Sequence, residues 1–345
     1  MESAIPQHLR CPRTRQARAS ADYTPPVAAY CARMDASVEQ VVTAYFGVQY
    51  RTAAGRTAAR EQLSVLRRAA LVPFGPRHDD LAFTVDGAGY ETLVWAAYWS
   101  DAAAFEQWEH AVADWWNSNE RLQGPCGWFR EVALPRVERF ETLFSSPDRR
   151  EGAATLAPSM SGEIREHAYW GSMRDRLAAS QTDPLRTAAS SPRPAPGRRV
   201  RTSGSENLAL IRSGQDWSDT EGEERRLYLQ QIEPRLREGM QYLSDRGNDV
   251  GCLVNRYLVQ VDEDLNPLEK SYGLSWWRDL EHMERWSESH PTHLEIFAAF
   301  MRMAQRLDFQ LRLRLYHEVS VLRAEEQRFE YLNCHPATGL MRVPA

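Results

Sequence analysis

Two of the nine histidines stand where an imidazole could do chemistry. From Leu311 to Val321 apolar and polar residues alternate: Leu311, Leu313, Leu315, Val319 and Val321 share one side with His317, while Arg312, Arg314, Glu318 and Ser320 take the other. A period of two marks a strand with a covered face, so His317 is expected to point inward, where an imidazole with nothing to bind is costly to bury. The second is His293. Pro291 suits the first turn of a helix, with Ser289 or His290 as its cap. From His293 an apolar stripe runs through Ile296, Phe297, Phe300, Met301 and Ala304 at helical spacing. A neutral imidazole heading an aromatic helix face can ligate haem iron. The partner histidine that zinc would need, as in His-Glu-x-x-His, is missing. Spacing alone leaves a core histidine open in both cases.

Other common chemistries find no foothold. There is no Gly-x-Gly-x-x-Gly, no phosphate-binding Gly-x-x-x-x-Gly-Lys and no Gly-x-Ser-x-Gly elbow. The net charge of −5 has its signs interspersed, which argues against a nucleic-acid face. No run of eighteen apolar residues predicts a membrane span, and Met1–Pro6 does not read as a signal peptide. Five scattered cysteines, without Cys-x-x-Cys, read as reduced thiols of a cytoplasmic protein. Cys11-Pro12 reads as an ordinary surface pair.

These residues need elements to hold them, and the chain states the same elements twice. Tyr98-Trp99-Ser100-Asp101 leads to Phe105 and Trp108, as Trp276-Trp277-Arg278-Asp279 leads to Met283 and Trp286. Trp128–Val132 with Phe140–Leu143 corresponds to Tyr316–Val319 with Phe329–Leu332. The opening strands, Val41–Val48 and Cys252–Val259, correspond loosely. Each half reads as β-β-α-α-β, an antiparallel sheet with helices on one face. The expected architecture is α+β: duplicated ferredoxin-like units, their sheets facing each other or forming a barrel, with helices outside. The divisions are an N-terminal arm (1–36), a first repeat (37–160), a connecting segment (161–217) and a second repeat (218–345). Within the connection, 184–205 is rich in Pro, Gly, Ser and Arg and reads as a flexible loop, its Arg198–Arg201 run a solvated patch.

Several blocks then stand in a telling order: Cys11-Pro12-Arg13-Thr14, Gly47–Arg51, Glu166–Arg176, Leu210–Trp217, Glu288–His293, Arg314–Ser320 and Asn333–Pro336. Together they resemble the haem-containing aldoxime dehydratases, the aliphatic group more than the phenylacetaldoxime group, over nearly the whole length. The resemblance implies haem b, active when ferrous, in a pocket of the C-terminal half, with His293 as proximal iron ligand. It implies His317 as the distal acid–base group, Ser213 holding the substrate hydroxyl, Arg176 lining the distal side and Glu141 supporting His317. It also implies a homodimer acting on a small aldoxime, R–CH=N–OH, to give a nitrile and water. The chain departs from the family in the 184–205 loop and around Arg306–Gln310. Three alternatives stand beside it: a peroxidase- or chlorite-dismutase-like haem enzyme on the same scaffold, a non-catalytic haem binder, and a cofactor-free α+β interaction protein.

Overall fold

In the computed structural model, which describes residues 1–187 and 197–342, the alternating and apolar runs become thirteen strands. The N-terminal arm carries β1 (Ala32–Arg33). A first unit follows: β2 (Val42–Tyr50), α1 (Ala53–Arg68), β3 (His78–Val85), β4 (Glu91–Trp99), the helical run α2 (Ala102–Ala111), α3 (Ala113–Asn117) and α4 (Glu120–Gln123), then β5 (Gly127–Ala133). Next come β6 (Phe140–Phe144), β7 (Ser159–Met160), α5 (Ser172–Arg176) and β8 (Arg199–Thr202). The order of the first unit then recurs in β9 (Leu208–Asp216), α6 (Gly222–Leu227), α7 (Glu233–Arg246), β10 (Cys252–Val261), β11 (Pro267–Trp277), α8 (Leu280–Ser289), α9 (Pro291–Arg306) and β12 (Arg314–Leu322), with β13 (Gln327–Leu332) after it.

β1 and β7 form a small ribbon; the rest make one antiparallel sheet ordered β6-β12-β9-β11-β10-β3-β4-β2-β5-β13-β8. The halves join where β10 pairs with β3 over Leu81–Phe83. They also exchange strands: β6, which follows the first unit, pairs with β12 of the second, and β13 pairs back with β5 of the first. The sheet curls so that inner-face residues of both halves, among them Tyr45, Phe129, Tyr272, Trp276 and Phe329, share one core. Helices cover the outer face. Among the described residues the curl is an open sheet with β6 and β8 as edges, not a closed barrel.

Three expectations need correction. Each unit runs β-α-β-β-α-β, so the counterpart of the strand at Val42 is β9, inside the stretch 161–217 read as a connection. Cys252–Val259 is instead the second strand of its unit. Both open with apolar residues, Leu208–Ile211 and Cys252–Val254, and only the intervening helices tell them apart. Within 184–205, Arg199–Thr202 is an edge strand because Val200 fills a core position while Arg199 and Arg201 meet the buried Glu330 at 2.9 and 2.8 Å; Pro192, Pro194 and Pro196 lie outside the described residues. Finally, the alternation from Leu311 overstates β12. The Arg312 and Leu313 amides donate to Glu224 Oε1 at 2.9 and 2.8 Å, which takes them out of the ladder.

One device recurs in both halves. Gly47 on β2 lies under the Phe129 ring of β5, and Gly214 on β9 lies under the Tyr316 ring of β12. A Cβ would fall 1.9 Å from Phe129 Cζ and 2.1 Å from Tyr316 Cε1. An aromatic ring lies across bare backbone where any side chain would collide. Gly214→Ala is therefore expected to destabilise the fold by about 1–3 kcal/mol, and Gly87→Ala, with open space around it, by less than about 0.5 kcal/mol; urea midpoints compare the two.

Candidate active site

Helix α8 starts at Asp279, whose carboxylate accepts from the His282 amide at 2.9 Å. It stops at Ser289 because the residue before a proline is steered out of helical conformation, and His290 is indeed extended. Pro291 then opens α9. The break puts His293 in the first turn of α9, beside the carbonyls at the end of α8 that have no helical donor. The Ser287 carbonyl accepts from His293 Nδ1 at 2.8 Å. That bond leaves Nε2 with its lone pair, and Nε2 has no hydrogen-bond partner among the described residues. Burial pushes the ring's pKa down to about 4, against the opposing pull of the Ser287 carbonyl, so the imidazole stays neutral near pH 7. Rings surround it: Trp286 at 4.8 Å and Trp170 at 5.7 Å between centroids, with Trp170 packed in turn on Phe297. Yet Trp170 and Phe297 keep 41% and 47% of their surface uncovered. An orphan imidazole nitrogen beside uncovered aromatic faces is the donor set a haem needs. Among the described residues no three His, Cys, Asp or Glu side chains gather to hold a bare metal ion.

The other group lies on the outer face of the sheet, which α7 and α8 cover. His317 is paired in register with Ser213 on β9 and Leu143 on β6, so the Ser213 side chain is its cross-strand neighbour. Glu141, two residues before Leu143, shares that face. Arg176 at the end of α5 grips Glu141 with Nε–Oε2 at 2.7 Å and Nη2–Oε1 at 3.0 Å. Its Nη1 donates to the Glu166 carbonyl and Ser172 Oγ. Burial alone would raise the Glu141 carboxyl, but Arg176 and then His317 outweigh it and hold the carboxyl below its usual range. His317 Nε2 stands 2.7 Å from Arg176 Nη2 and 3.2 Å from Glu141 Oε1. A neutral ring can accept from the guanidinium there, and a protonated ring can donate to the carboxylate. Nε2 thus has a partner in either state.

Glu141, Arg176 and His317 therefore touch, Ser213 adjoins them, and His293 sits on the helix pair over the same half. Sequence reasoning missed the links between the two groups. Trp170 reaches His293 from just before α5, and Arg174 on α5 reaches Glu284 on α8. Neither leaves a local signal, since the partners lie far apart in the chain.

The first unit provides a comparison. Trp115 stands third in α3 as His293 stands third in α9. Phe46 is opposite Trp95 and Arg130 as Ser213 is opposite Gly273 and His317. There Phe46 packs on Trp95, Trp108 and Trp116 at 5.3, 5.2 and 6.0 Å, so tryptophans fill the space between sheet and helices. A cavity of about 570 Å³ lies nearby, but its charged walls, Arg130, Glu109 and Arg328, neutralise one another.

A family model described as haem-containing dehydratase matches residues 44–340. The aliphatic aldoxime dehydratase of Pseudomonas chlororaphis is 48% identical over 99% of this chain and 98% of its own. The phenylacetaldoxime dehydratase of a Bacillus species is 30% identical over 93% and 92%. A crystal structure of an aldoxime dehydratase in complex with butyraldoxime superposes with a TM-score of 0.95 at 45% identity, covering 99% of this chain and 96% of that one.

The buried pair yields a test that needs no turnover. Glu141→Leu leaves the Arg176 charge unpaired and is expected to cost about 3–5 kcal/mol, while Glu141→Leu with Arg176→Leu costs less than the single change. Because the folded carboxyl is held below its usual range, the wild type should lose stability as acid protonates it, and Glu141→Leu should lose less; urea unfolding from pH 7 to pH 3 measures both.

Proposed function

Because the chain belongs to the family of haem-containing dehydratases, we propose that it removes water from aliphatic aldoximes, R–CH=N–OH, to leave nitriles. It is a lyase that uses haem. The observation that carries the reading in this chain is the pairing of an imidazole left with a free Nε2, at His293, with a second imidazole on a buried carboxylate–guanidinium pair, at His317. Family membership disfavours the peroxidase-like, chlorite-dismutase-like, haem-binder and cofactor-free alternatives.

In this proposal His293 would ligate the iron of haem b, and Trp286, Trp170 and Phe297 would supply apolar surface for it. Ferrous haem, when bound, would supply an electron-rich metal centre able to weaken the N–O bond of an oxime. The chain's own residues do the rest. Ser213 hydrogen-bonds the hydroxyl and fixes its direction. His317 gives a proton to the hydroxyl oxygen, so that the N–O bond breaks with water leaving rather than hydroxide, and then takes the proton from carbon as the triple bond forms. Glu141 stabilises the charged ring, and Arg176 holds Glu141 in place and accommodates the neutral ring. The leaving oxygen departs beside that guanidinium. The pocket in the second unit, the homodimer, the cytoplasmic setting and a division into arm, two repeats and a connection, with the second repeat opening at β9, belong to the same proposal. Among the described residues no helix is long and apolar enough to cross a membrane.

The test is to load the protein with haem, reduce it anaerobically, add butyraldoxime, and follow the Soret band with nitrile by chromatography. A ferrous-dependent shift with nitrile is expected, and haem uptake without nitrile would sink the dehydratase reading. His317→Ala should keep haem and lose about two to four orders of magnitude in rate, whereas His293→Ala should fail to retain haem. Full turnover by His317→Ala would remove it from the acid–base role.

A further inference from the structure

The five residues of α5 hold more than the distal group. Arg176 points to Glu141 and His317. Two residues earlier, Arg174 reaches the opposite way: its Nε lies 3.0 and 3.1 Å from the two oxygens of Glu284, its Nη2 lies 2.6 Å from Oε2, and its Nη1 donates to the Pro184 carbonyl at 2.7 Å. The Glu284 side chain is 2% exposed. It projects from the middle of α8, and the Glu284 backbone carbonyl accepts from Ser287 Oγ at 2.8 Å. Ser287 in turn supplies the carbonyl that holds His293 Nδ1. Asp175, between the two arginines and 1% exposed, accepts from the Tyr169 hydroxyl and from the Arg18 amide of the N-terminal arm at 2.8 Å each. Successive side chains of one helical turn are thus fixed to three different parts of the molecule.

We infer that Arg174 and Glu284 are positioning residues for the dehydration, an ion pair that clamps the helix orienting His293 to the helix carrying Arg176. The inference rests on the proposed roles of His293 and His317. Fork-to-fork geometry fixes distance and angle together, and a compact ammonium in place of the guanidinium cannot reproduce it. Their side chains bond to each other and to the Pro184 carbonyl, and they act through Ser287 and α5. Groups that orient a ligating histidine in this way typically alter activity or metal affinity by about 10–100-fold when removed.

The experiment uses haem-loaded Arg174→Lys, Arg174→Met, Glu284→Gln and the double variant Arg174→Met/Glu284→Leu. Resonance Raman reads the iron–histidine band of each ferrous protein, beside kcat and KM for butyraldoxime. The expected result is a displaced or broadened band and a kcat about tenfold lower, with KM changed far less. The double variant should be no worse than Arg174→Met, because the clamp is already open. Arg174→Lys keeps the buried charge compensated, so it reports on geometry should the other single variants fail to fold. Variants with a lower melting temperature but an unaltered band and kcat would show a merely structural pair and overturn the inference. A wild-type protein without any iron–histidine band would instead overturn the assignment of His293.

Discussion

Everything around His317 depends on keeping one full pair of charges out of water. The side chains of Arg176 and Glu141 are 1% and 2% exposed, and removing two such ions from solvent costs several kcal/mol each. The cost is offset only if every donor and acceptor is used, and here they are. Two parallel bonds join the pair, the remaining guanidinium donors reach the Glu166 carbonyl and Ser172 Oγ, and His317 closes the last side. This saturation dictates the neighbourhood. The edge strand β6 must lie against β12 to bring Glu141 under His317, and α5 must sit at the sheet's rim to bring Arg176 in from above. The N-terminal arm must fold back to satisfy Asp175.

The proximal side obeys a milder version of the same rule. A helix that ends inside a protein leaves carbonyls without donors, and an imidazole needs one nitrogen satisfied if the other is to be left for a metal. The break at Pro291 answers both needs with a single hydrogen bond. The aromatic rings close around His293 but stop short of covering it, which leaves the start of the α9 stripe half open. Ala299, Met303 and Ala304 are buried normally two turns farther along.

Sequence made the local facts legible and the non-local ones not. His317 and His293 stood out because strand and helix periodicity act within about ten residues. The repeated Asp101 and Asp279 caps could be read for the same reason. The resemblance, not periodicity, pointed to Ser213, Arg176 and Glu141; the structure explains why, since the partners that bring them together lie on other strands and on α5. The boundary of β12 was misread because Glu224, nearly ninety residues away, captures two amides that alternation assigned to a ladder. The second unit was started one strand late because apolar runs look alike until pairing separates them. The Arg174–Glu284 contact spans 110 residues and leaves no local mark.

The tryptophan-filled first unit gives the duplication a meaning of its own. Where the second unit has Ser213, Gly273 and His293, the first has Phe46, Trp95 and Trp115, large rings in place of small residues. Small residues at such positions forfeit dispersion contacts that large rings would make. Because β6 and β13 are traded between the units, the tryptophan-rich copy is stitched to the other and can brace it. Two copies of one topology thus divide their labour, one rich in packed rings and one carrying the histidines. Substitutions around Ser213 and His317 have a reserve of rigidity to draw on that a single unit would lack.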